Sequence, residues 1–115
     1  MGEAVPPPPK PREVKPSTCT DLTVPEICIQ FYRREEKKWV EYCFHVNLKK
    51  YDSIQEIAEE ILEQLVAEYA EKARFKGDPD VYRMAIEEYV KTAVWDAMVE
   101  YLQYLKRLLE EEAYC

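Results

Sequence analysis

Residues 80–115, DVYRMAIEEYVKTAVWDAMVEYLQYLKRLLEEEAYC, contain neither Gly nor Pro and keep an apolar residue on every turn as far as Leu109. The pattern predicts one helix of over thirty residues, roughly 50 Å long at ~1.5 Å per residue. In a chain of 115 residues, a helix of this length cannot be covered throughout by the chain's own elements. Both the fold and the expected assembly follow from that excess.

Immediately upstream, Ser53-Ile54-Gln55-Glu56 is a capping box that opens a first helix. Ile54, Ile57, Ala58, Ile61, Leu62, Leu65, Val66, Tyr69 and Ala73 follow at helical spacing. Gly77 is placed to end this helix, and Asp78-Pro79 supplies an N-cap and first-turn proline for the next. The two helices should therefore form an antiparallel hairpin. At ~100° per residue, the first half of the long helix presents Tyr82, Ile86, Tyr89, Val90, Ala93 and Ala97 on one face. Beyond residue 100 the apolar face turns to Met98, Tyr101, Leu102, Leu105, Leu108 and Leu109. A tight turn sets Ile54 opposite residue 100, so the stripe changes direction where the first helix runs out. The second half then needs a cover, and a second copy of the chain, related by a twofold axis, is the simplest supplier. These six residues are the expected oligomer interface, with a dimer as the first expectation.

Further upstream the period falls from helical to two. Ile27, Ile29 and Phe31 alternate with Cys28, Gln30 and Tyr32, and Val40, Tyr42, Phe44, Val46 and Leu48 alternate with polar or small residues. Two such arms about the charged stretch Arg33–Lys38 predict an antiparallel hairpin with one buried face. A turn centred between Glu35 and Glu36 places Ile27 opposite Phe44, Ile29 opposite Tyr42, Phe31 opposite Val40 and Cys28 opposite Cys43. A slip of one residue would turn Ile27 and Ile29 to solvent, so burial itself selects this parity. Thr18–Val24 is β-prone and is expected as a short third, edge strand ending at Pro25. Residues 1–16, with six of the eight prolines, read as an extended, flexible arm with a surplus of cations. That arm is a candidate ligand for a protein partner. Residues 17–115 read as a single α+β domain: an antiparallel hairpin, with or without a third strand, packed on a long antiparallel helical hairpin.

The charge is −7, from 16 Lys+Arg and 23 Asp+Glu, which opposes general affinity for phosphate backbones. No apolar run approaches the ~20 residues of a membrane span, and the N-terminus lacks the apolar core of a signal peptide. A cytoplasmic setting, or a virion assembled in the cytoplasm, is the expectation. One Asn and two Ser beside 34% charged residues form a hyperthermophile pattern, pointing to an archaeon or its virus as the source. In such organisms intracellular disulfides are permitted. Cys28, Cys43 and His45 share one strand face, which admits a Cys28–Cys43 disulfide, two small apolar strand residues, or a metal site completed by Cys19 or Cys115. The cysteine spacings contain no CxxC pair, so no metal and no cofactor are assigned.

Catalytic chemistry has little to draw on. There is a single His, only Gly2 and Gly77 as glycines, and no HExxH motif. The chain is therefore expected to be a non-catalytic interaction protein. An alternative places a nucleic-acid contact at the hairpin tip, where Tyr32 and Trp39 flank Arg33, Arg34, Lys37 and Lys38, combining stacking rings with cations.

Overall fold

The structure, a computed structural model, describes residues 5–9, 13–33, 36–71 and 78–111. The elements in order are β1 (Lys15–Thr18), β2 (Asp21–Arg33), β3 (Lys38–His45), a 3-10 turn (Leu48–Lys50), α1 (Ile54–Glu71) and α2 (Pro79–Glu111). The strands form one antiparallel sheet in the order β1-β2-β3, which with two helices makes the chain α+β.

Between β2 and β3 the register sets Ile27 against Phe44, Cys28 against Cys43, Ile29 against Tyr42 and Phe31 against Val40. Ile27 and Ile29 are fully buried on one face. At the tip, Lys37 takes a positive φ of 53°, the left-handed conformation that lets so short a connection reverse the chain.

The third strand departs from the expectation. It is not 18–24 but Lys15–Thr18, while residues 21–33 form one unbroken central strand that runs through Pro25. Proline in a central strand ordinarily costs a ladder hydrogen bond. Here Pro25 faces Pro16, and its carbonyl points the other way, accepting from Val46 N–H at 3.0 Å. Because N–H and C=O of a strand residue point to the same side, the Pro16–Pro25 rung requires no donor from either residue. Pro25's missing donor falls just past the last β2–β3 pair, Glu26–His45. Asp21 starts β2 by accepting the Thr23 N–H at 2.9 Å. The extended arm is correspondingly shorter than 1–16: Val14 is buried in the core, and Lys15 and Pro16 belong to β1.

α1 is capped as its sequence suggests, with one displacement. Ser53 Oγ accepts the Glu56 N–H at 3.2 Å, but Glu56 reaches back to the N–H of Asp52, at 2.8 Å, rather than to that of Ser53. Asp78 caps α2 by accepting the Asp80 N–H at 2.9 Å. Gly77, the expected helix stop, lies outside the described residues.

One core joins the sheet and both helices. Ile27 and Ile29 share one buried cluster with Ile57, Ala58, Ile61, Leu62 and Leu65 of α1 and Val90, Val94, Ala97, Met98 and Tyr101 of α2. Two tyrosines fix α2 to β2. The Tyr101 hydroxyl donates to the Leu22 carbonyl at 2.6 Å, and that of Tyr89 donates to the Gln30 carbonyl. Moving up α2 from 89 to 101 thus moves down β2 from 30 to 22, so the two run in opposite senses. Late α1 and early α2 also touch, through stacked Tyr69 and Tyr82 rings 3.6 Å apart and an Arg83–Glu63 ion pair.

Candidate assembly surface and hairpin tip

The expected interface divides in two. Met98 and Tyr101 are in the core, with Tyr101 wholly inaccessible, and Leu105 packs against that core. Leu108 is half-buried. Only Leu102 and Leu109, at 57% and 82% exposure, face outward. The reason is the length of β2. Its 13 residues span roughly 40 Å at ~3.3 Å each, so the sheet covers α2 beyond the level where α1 ends.

The outward face of α2 is apolar on its own account. Val81, Met84, Trp95, Val99, Leu102 and Leu109 are six of the nine exposed large hydrophobics among the described residues, and all six belong to a single stripe. With Trp95 at 0° and ~100° per residue, they lie within about 40° of it, as do Glu88, Lys91 and Lys106. The buried stripe through Val90, Val94, Met98 and Tyr101 is centred some 100–130° away. α2 therefore carries two apolar faces, and only one is used by the fold. A shallow groove lined by Trp95 and Val99, and otherwise by polar or charged residues such as Glu13, Asp96, Lys106 and Arg107, flanks the outer one. The sequence does contain the signal for Val81, Met84, Trp95 and Val99, in the 3-4 spacing 81, 84, 88, 91, 95, 99, 102, 106, 109. Three charged residues within that run conceal it.

At the hairpin tip, Tyr32 and Trp39 form a cross-strand pair with ring centroids 5.5 Å apart. Among the cations proposed for nucleic-acid contact, Arg33 and Lys38 both reach Glu36, at 3.3 and 3.1 Å, and Arg33 also donates to the Tyr42 hydroxyl. The Glu36 carboxyl is held below the ordinary carboxylate range by its bond to Lys38 and then by Arg33. Lys37 sits at the turn, and Arg34 lies outside the described residues. The tip thus brings its rings together with an ion-paired cluster in which the single carboxylate of Glu36 contacts two of the cations. The Trp39 indole N–H donates to the Pro6 carbonyl at 3.2 Å, so the proline-rich arm crosses this end of the sheet.

Cys28 and Cys43 form a disulfide with Cα atoms 4.0 Å apart, a spacing that belongs to the narrow, non-hydrogen-bonded rung of an antiparallel pair. Cys19 is also disulfide-bonded. Glu26, Cys28 and Cys43 lie close enough to share an ion. His45 adjoins them, with Nε2 at 3.5 Å from Glu26 and Nδ1 at 2.6 Å from Ser17 Oγ. With both sulfurs in the disulfide, neither offers the thiolate that a zinc or iron site requires.

Comparison of the chain with family models, curated proteins and solved structures finds no match. No helix of the described residues is long and apolar enough to cross a membrane.

Proposed function

We propose that the protein is a non-catalytic interaction protein that self-assembles through its long helix. The contact is the outer stripe of α2, from Val81 to Leu109, rather than the C-terminal half alone. The supporting observation is the concentration of exposed large hydrophobics on this one stripe. Exposed apolar surface gathered on one face, even with charges set among it, is where proteins bind one another. On the same reading α1 and α2 form the antiparallel helical hairpin expected from the sequence, supported by the Tyr69–Tyr82 and Glu63–Arg83 contacts.

Charge placement selects the occupant and its direction. A second copy laid parallel would stack Glu88, Lys91 and Lys106 each on its own equivalent. Laid antiparallel about a twofold axis near residue 97, Trp95 comes level with Val99 of the partner subunit and Glu88 with Lys106 of the partner subunit. Met84 then falls within one residue of the level of Leu109 of the partner subunit. Half-burying six large side chains on each of two copies contributes on the order of 10 kcal/mol. That is the scale needed to offset the ~4–15 kcal/mol cost of association.

Light scattering on the full chain at about 100 μM should give twice the chain mass. The double variant Val99→Asp, Leu102→Asp should give the monomer mass with an unchanged circular dichroism spectrum, because both positions point away from the core. A wild-type monomer at that concentration would rule the reading out.

A further inference from the structure

The Pro6–Trp39 hydrogen bond joins the N-terminal arm to a strand 33 residues away, and the partners have the chemistry of a recognised pair. Val5–Pro9 reads VPPPP and is exposed throughout. Four successive prolines favour the polyproline II helix, which has no internal hydrogen bonds and turns its carbonyls outward. Surfaces that bind such segments supply flat aromatic side chains against the proline rings and a donor for a free carbonyl. Tyr32 and Trp39 provide both: rings 5.5 Å apart, each half-buried while Glu36 and Lys38 beside them are exposed, and an indole N–H already directed at Pro6.

The connection is long enough. Lys15 pairs with Glu26 in the sheet. The nine residues back to Pro6 can reach at most roughly 30 Å at ~3.3 Å each, while β2 from Glu26 to Arg33 covers roughly 23 Å at ~3.3 Å per residue. Having no N–H, the prolines cannot extend β1 along the rest of the β2 edge, and the aromatic pair receives them instead. We propose that Tyr32 and Trp39 form a binding site for a polyproline II segment, and that Val5–Pro9 is its resident ligand within the same chain. A proline-rich peptide from elsewhere would then have to compete with a tethered arm, which the short tether keeps at high local concentration.

The test follows the indole N–H signal of Trp39 in the full chain by nuclear magnetic resonance, assigned with Trp39→Phe. In wild type, hydrogen exchange at the Trp39 indole should be slower than in a variant with Pro6, Pro7, Pro8 and Pro9 each replaced by Ser. The same replacements should move the Trp39 signal and leave that of Trp95 in place. A synthetic peptide of residues 3–10, added to this variant, should return the signal towards its wild-type position with saturation at or below about 1 mM. Adding Tyr32→Ala should weaken that binding about tenfold, the loss of one aromatic anchor. Exchange at Trp39 as fast in wild type as in the serine variant, a Trp39 signal indifferent to the serine replacements, or a titration that does not saturate would each overturn the proposal. None of these readouts depends on the oligomeric state of the chain.

Discussion

Tyr101 concentrates much of this fold's chemistry in one side chain. It is the largest fully buried residue, and its hydroxyl reaches the Leu22 carbonyl of β2 across the core. Tyr101→Phe should cost about 1 kcal/mol in urea unfolding, the net worth of a buried neutral hydrogen bond. Tyr101→Ala should cost about 3–5 kcal/mol through the cavity it leaves. Burial pushes the Tyr101 phenol above its ordinary value, and does the same at Tyr82. A raised folded-state pKa means that the associated stability is complete below the unfolded value of about 10 and is lost as the pH rises through the folded value. Thermal unfolding followed from pH 8 to 11.5 should therefore show a falling midpoint above about pH 10, with a shallower fall in Tyr101→Phe. An equal slope in the two proteins would mean that Tyr101 does not titrate against the fold. A second residue-level expectation concerns the Cys28–Cys43 disulfide, which closes a separation of 15 residues. Loop-closure entropy assigns it about 3 kcal/mol, so Cys28→Ala with Cys43→Ala should lower the unfolding free energy by about 2–3 kcal/mol.

Among the elements, the hairpin was readable from sequence and the long helix only in part, for a physical reason. A strand face has a period of two, so one slip reverses every side chain, and the alternation of Ile27, Ile29, Val40, Tyr42 and Phe44 leaves a single register. A helix with apolar residues on two faces has no such check. On α2 the inner stripe through Met98 and Tyr101 and the outer stripe through Leu102 and Leu109 merge into one broad face when residues 98–109 are averaged. That average suggested a rotated stripe where the structure has two separate ones. Cover on α2 also does not end with α1, because β2 continues unbroken over 13 residues. Reading β2 as unbroken requires accepting Pro25 in a central strand, which is intelligible only once Pro16 is seen opposite it. The two-face account makes its own prediction at this scale. Val94→Asp, on the inner face, should unfold the protein or cost more than about 4 kcal/mol, as an unpaired buried charge does. Trp95→Asp, one residue along and 57% exposed, should leave urea stability within about 1 kcal/mol after correction for any dimer.

At the scale of the whole molecule, α2 sets the longest dimension. The 51 Å extent matches 33 helical residues at ~1.5 Å each, so the outer stripe runs along nearly the full length of one side. Two copies brought together there each carry a charge of −7, and their long-range repulsion is screened as salt is added. Dimer formation should thus tighten between about 10 and 150 mM salt, an outcome that sedimentation equilibrium can check; an interface dominated by ion pairs would weaken over the same range. The antiparallel pairing is tested most directly by a charge-swap cycle at its two symmetric contacts. In sedimentation equilibrium of the full chain, Glu88→Lys alone and Lys106→Glu alone should each raise the dimer dissociation constant. The double variant should restore it to within about threefold of wild type, as it only exchanges the members of each pair. Single variants that dimerise like wild type, or a double variant no better than either single one, would contradict the assembly proposed here.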